Sequence, residues 1–121
     1  MNEKPLFIVL ARKPFDWFKE GSKKFELREE KIKYNRNTII KCGTVTVQRS
    51  RYKKEGRFNG VIGKIEIGTL TYLLKKLPYK KIIPESNSIE DAIKIIKKAG
   101  YIKNGKKCIA FEIKNISKVY K

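Results

Sequence analysis

The 121-residue chain has no histidine, two cysteines, one methionine and one tryptophan. Without imidazole there is no His-based triad, no His-ligated metal and no imidazole acid–base pair. Cys42 and Cys108 lie far apart and form no CxxC pair, which excludes a zinc ribbon or a dithiol redox motif. A disulfide between them is not expected in a chain that reads as cytoplasmic. Long apolar runs are also missing. The stretch from Pro5 to Ala11 is followed at once by Arg12 and Lys13, too short for a membrane span and unlike a secretory leader. No metal, cofactor or membrane partner is expected.

Acidic residues are scarce: 12 Asp and Glu stand against 30 Lys and Arg, a net charge of +18. A field of that size attracts polyanions, which points to nucleic acid first. The charge is uneven. Arg49, Arg51, Lys53, Lys54 and Arg57 face one acid, Glu55, and only this cluster also carries Tyr52, Phe58, Gly56 and Gly60. Arginine with aromatics and glycine suits a loop that grips phosphates and stacks bases. Lys75, Lys76, Lys80 and Lys81 form a second cluster, and six lysines with no acid fall in residues 94–107.

Hydrophobic periodicity gives one α+β domain over residues 1–121. Pro5–Ala11 fits a buried strand, and Pro14 opens a short helix with Phe15 and Phe18 that Gly21 stops. Along Lys24–Glu30, Phe25 and Leu27 face one way, while Glu26, Arg28 and Glu30 face the other. Ile39, Ile40, Val45 and Val47 mark a third strand region broken at Cys42 and Gly43. Val61–Leu73 reads as one long strand bent at Gly63 and Gly68. Ser88 with Asp91 caps a helix over 88–99 that Gly100 ends, and Lys107–Val119 alternates as the last strand. Trp17, flanked by Phe15 and Phe18, is assigned to the core. The expected fold is a small, curved, antiparallel β-barrel of five to six strands with two main flanking helices.

Gly21-Ser22-Lys23-Lys24-Phe25-Glu26-Leu27-Arg28 has the form G-x-K-x-x-E-x-R. Glu26 and Arg28 share a strand face, and Lys23 can swing toward it, so three charges converge on a polar rim. The segment resembles the signature of the ASCH domain (activating signal cointegrator homology), a branch of the PUA-like superfamily. Lys13-Pro14 resembles that family's K-P step into its first helix. Val61-Ile62-Gly63-Lys64-Ile65-Glu66-Ile67-Gly68 resembles its V-I-G-E-I-E-I-G strand, and Ile109–Ile113 its closing strand.

The resemblance implies a PUA-like barrel with a cleft between the first helix and the sheet, associated with RNA or modified nucleosides. Lys13, Lys23, Glu26 and Arg28, with the Arg49–Arg57 cluster, are the expected RNA contacts. Some ASCH proteins are amidohydrolases of N4-acetylcytidine that use a lysine, a threonine and a separate glutamate. Lys23 matches the lysine, but Glu26 stands at the threonine position and has no hydroxyl to attack an amide carbonyl. A non-catalytic RNA reader is therefore the first expectation. The alternatives are a hydrolase of RNA or of a modified nucleoside using Lys23 and Glu26, and a basic adaptor for an acidic protein. Each neutralised phosphate of a single strand contributes a log–log salt slope of about −0.7. Four to six engaged cations should therefore make RNA affinity fall with a slope of about −3 to −4. Affinity that ignores salt would reduce the charge to a compositional bias.

Overall fold

The structure is a computed structural model that describes residues 6–50, 56–100, 102 and 106–118. Leu6–Leu10 forms β1, with Leu6, Ile8 and Leu10 turned inward and Phe7 and Val9 outward. Arg12–Glu20 forms α1, which starts at Arg12 rather than at the expected Pro14. Pro14 sits in the first turn, where its missing N–H has no helical partner to lose. Gly21 closes α1 at φ 89°, a left-handed position that glycine adopts without strain.

Phe25–Glu29 is β2, Thr44–Arg49 is β3, Arg57–Thr69 is β4 and Lys107–Lys118 is β5. They form one mixed sheet in the order β1-β3-β4-β5-β2, curled into a half-barrel. The curved, largely antiparallel architecture expected from the sequence is present with five strands. One pairing, β1 with β3, is parallel, because the chain between them crosses through α1 and β2 instead of turning back as a hairpin. Gly60 lets β4 and β5 approach: a Cβ there would lie 2.5 Å from the Ile113 Cγ2. The edge strands β1 and β2 meet across the open side, where Arg28 Nη2 donates to the Val9 carbonyl at 3.2 Å.

Two apolar clusters flank the sheet. The first fills the half-barrel with Ile8, Val45, Val47, Ile62 and Phe111 and takes Phe15 and Phe18 from α1. The rings of Phe15 and Phe18 tilt against Phe58 at 5.1 and 6.1 Å. The second lies outside β2 and β5, where Phe25, Leu27, Cys108 and Ala110 meet two helices. These are α2, Leu70–Lys76, and α3, Ile89–Ala99, separated by a 3-10 turn at Tyr79–Lys81. Ser88 caps α3 by accepting from Asp91 N at 3.0 Å, as its spacing predicts.

Three sequence expectations change. The strand expected over Val61–Leu73 ends at Thr69, whose hydroxyl accepts from Tyr72 N and caps α2. The apolar residues Leu70, Leu73, Leu74 and Leu77 follow helical spacing and are all buried. Among the described residues there are thus three α-helices rather than two main ones. Ile39 and Ile40 precede the third strand instead of opening it, since β3 starts at Thr44. Ile39 still fills the half-barrel core. If α2 is the helix described, Leu73→Ala should lower the unfolding free energy in urea by about 2–5 kcal/mol. Thr71→Ala, on the exposed face, should change it by no more than about 0.5 kcal/mol.

Candidate functional site

β2 is an edge strand, and its ladder with β5 determines which groups remain available. Ile113 N donates to the Lys24 carbonyl, and Glu30 N donates to the Lys107 carbonyl. In an antiparallel pair such contacts alternate, so the backbone N–H and C=O of Leu27 point away from β5 to the open edge. A cavity of about 450 Å³ lies over this edge, within the roughly 300–1,000 Å³ of small-molecule sites. One wall is the start of α1, with Ala11, Arg12, Lys13, Pro14 and Trp17. The opposite wall is Ile82, Ile83 and Glu85 together with Ile95, Ile96, Ala99 and Ile102. Lys23, Glu26 and Leu27 complete the lining.

Of the charged groups in the lining, Arg12, Lys13 and Glu85 are exposed, whereas Lys23 and Glu26 are buried at 4% and 6% exposure. Lys23 Nζ donates to the Ile82 carbonyl at 2.6 Å and lies 3.6 Å from Glu26 Oε1. It also stands 5.4 Å from the centre of the Phe18 ring. The other Glu26 oxygen accepts from Arg28 Nε at 2.7 Å. Arg28 then donates from Nη1 to the Tyr34 hydroxyl at 3.2 Å and stacks over that ring at 5.0 Å. One carboxylate thus joins the cavity lining to the seam of the half-barrel. Burial holds the Lys23 pKa below its ordinary 10.5, while Glu26 opposes that shift.

Of the expected contacts, Lys13, Lys23 and Glu26 reach the cavity, and Arg28 stands behind Glu26. Lys13 pairs with Glu85 at 3.3 Å between the two walls. Exposed pairs of this kind contribute about 0–1 kcal/mol, so this contact holds the two walls together only weakly. Arg49 and Arg57 are not in the lining. Arg49 Nη1 lies 4.0 Å from Asp16 on α1, and Arg57 Nε donates to Gln48 Oε1 beside the Phe7 ring. Arg51, Tyr52, Lys53 and Lys54 fall outside the described residues. The polar rim expected of Glu26 and Lys23 is a buried pair instead, because α1 and the 82–85 segment cover that end of β2. Trp17, expected in the core, is half-buried and lines the cavity.

Sequence reasoning missed the far wall. Its signal was Ile95 and Ala99, which lie four apart beside the α3 stripe of Ile89, Ala92, Ile93 and Ile96. They carry apolar surface past what the helix buries in its own core. Cys108, by contrast, is the inert filler its strand position suggests. Burial, with Glu29 nearby, pushes its thiol pKa up to about 11. No helix among the described residues is long and apolar enough to cross a membrane.

Solved structures share this architecture. An ASCH protein from Zymomonas mobilis superposes with a TM-score of 0.66 at 17% identity, over 94% of this chain and 69% of that one. Protein PF0455 from Pyrococcus furiosus gives a TM-score of 0.61 at 21% identity, over 92% and 96% of the two chains. The hypothetical protein PH0355 gives 0.64 at 20% identity, over 89% and 95%. No family model and no curated protein matches the sequence. The chain has the ASCH-domain fold.

The lowered Lys23 pKa has a measurable sign. Between its native value and 10.5 the unfolded chain binds more protons than the folded one. Lys23 therefore adds to stability as pH rises through that window, and the contribution is lost as pH falls. Urea midpoints should rise less steeply in Lys23→Met than in the parent chain as pH is raised toward 10.5. Parallel profiles would place the ammonium in water.

Proposed function

We propose that this chain is an ASCH-domain nucleic-acid reader that takes one base of an RNA strand into the cavity over β2. The observation that carries the reading is the buried Lys23–Glu26 pair in a mostly apolar cavity whose other charges, Arg12, Lys13 and Glu85, are exposed. A base has two apolar faces and a polar edge. Trp17 and Ile95 offer surfaces to the faces, and tryptophan is a strong stacking platform. Lys23 offers a donor and Glu26 an acceptor to the polar edge. The edge-facing N–H and C=O of Leu27 add a donor and an acceptor of fixed direction. Arg12 and Lys13 at the start of α1 are exposed and suit the phosphates of the strand.

Glu26 acts here as an anchor and an acceptor. It holds Arg28 and faces Lys23, the work of a carboxylate and not of an attacking hydroxyl. N4-acetylcytidine should accordingly remain intact. One observation favours a second reading, cleavage of RNA by Lys23 and Glu26. A desolvated amine beside a carboxylate is an acid–base pair whose amine is drawn toward neutrality.

Trp17 is the one tryptophan of the chain, so its fluorescence reports the cavity directly. Single-stranded RNA should change the emission, and Lys23→Met should weaken binding by about tenfold or more, the worth of a hydrogen bond to a charged group. Glu26→Gln, which can still accept from Arg28, should alter preference among bases more than total affinity. RNA binding that leaves the Trp17 signal and the Lys23→Met affinity unchanged would remove the cavity from recognition. Shortened RNA lost in both Lys23→Ala and Glu26→Ala would establish the nuclease reading instead.

A further inference from the structure

The segment leaving β2 carries a feature that the cavity does not use. Ile32 is 94% exposed, while the next most exposed large apolar side chain among the described residues, Tyr72, is 45% exposed. Ile32 does not sit on a loose loop. Lys31 and Tyr34 exchange backbone hydrogen bonds at 2.9 and 3.1 Å. The Asn35 side chain donates to the carbonyls of Lys31 and Ile32 at 2.8 and 2.9 Å. Its Oδ1 accepts from the backbone of Asn37 and Thr38, and Asn35 N donates to Thr38 Oγ1 at 2.9 Å. The same loop is tied to the site, because the Tyr34 hydroxyl accepts from Arg28, which is bonded to Glu26.

Cations surround the isoleucine. Lys31, Lys33 and Arg36 are all exposed. Lys31 lies 3.7 Å from Glu29, while Lys33 and Arg36 have no ion pair among the described residues. Lys33 Nζ instead stands 5.5 Å from the Tyr34 ring. An ordered loop that projects a β-branched apolar side chain between cations fits a base step bounded by phosphates. A lipid surface fits less well. Each buried CH₂ contributes about 0.8 kcal/mol, and one isoleucine is a smaller anchor than even a single, only marginally binding acyl chain.

We infer that the 31–38 loop is a wedge for paired nucleic acid, in which Ile32 fills the step vacated by the base drawn into the cavity. This rests on the reading of the cavity given above. The distance is suitable: Ile32 lies five positions beyond Leu27, at most about 18 Å of chain. Extruding a base costs a few kcal/mol, least at a mismatch or bulge, and an inserted side chain recovers part of the lost stacking. The wedge thus extends the substrate class from single strands to helices with a weakened pair.

The test uses the full chain and an RNA duplex with 2-aminopurine at one mismatched position, alongside the corresponding single strand. Wild-type protein should raise the 2-aminopurine fluorescence as that base leaves the stack. Ile32→Ala should lose that rise and bind the duplex about tenfold or more weakly, the worth of burying one isoleucine. It should bind the single strand as before, and Ile32→Leu should restore duplex binding. Arg36→Ala should reduce the duplex salt slope by about 0.7–0.9. An Ile32→Ala protein that binds and unstacks the duplex like wild type overturns the wedge. So does Ile32-dependent binding to phosphatidylserine vesicles with no change on RNA. If Lys23→Met leaves single-strand binding unchanged while Ile32→Ala still loses the duplex, the cavity reading fails and insertion by Ile32 stands.

Discussion

The Glu26 carboxylate is shared between two cations: Arg28 at 2.7 Å on one oxygen and Lys23 at 3.6 Å on the other. In a chain with a net charge of +18, that sharing allows two positive side chains to enter one partly closed region. Burying an ion costs several kcal/mol even after relaxation, and attraction offsets the cost only when geometry and hydrogen bonding are good. Both conditions are met. Lys23 finds the Ile82 carbonyl, and Arg28 finds Tyr34 and the Val9 carbonyl. Removing Glu26 would leave buried Lys23 and partly buried Arg28 repelling each other, at the cavity lining and at the seam where β1 and β2 approach.

This dependence links the architecture to the cavity. A half-barrel has two edge strands, and edge strands expose backbone donors and acceptors. Here one edge is bridged by Arg28, and the other remains open at Leu27 under a roof of α1, the 82–85 segment and α3. The cavity is thus the unpaired part of a sheet edge, walled by apolar side chains. The buried charges that give it polarity are held by the same residue that joins the edges.

How much of this could be read in the sequence follows from how local each feature is. The alternation of Phe25 and Leu27 against Glu26 and Arg28 is a period-two property of five residues, and it survives folding unchanged. The caps at Gly21, Ser88 and Gly100 are equally local. The depth of Glu26 was not legible, because α1 and a segment some sixty residues away cover it. Helix α2 was missed because alternating Ile65 and Ile67 run straight into Leu70, and only the Thr69 cap divides the two periods. The basic cluster at Arg49–Arg57 drew attention by composition. Yet its described ends, Arg49 and Arg57, are engaged with Asp16 and Gln48 away from the cavity. Charge density marks a partner class, whereas the burial of two opposite charges marks a place.

Amide and indole chemical shifts of labelled protein titrated with a single-stranded RNA test the central claim most directly. If one base enters the cavity over β2, the Trp17 indole and the Leu27 amide should shift together and saturate with the binding curve. Residues of the opposite wall, Ile82, Ile95 and Ala99, should follow the same curve. Shifts confined to the lysines of α2 and α3, or to Arg49 and Arg57, with Leu27 and Trp17 unmoved, would contradict it.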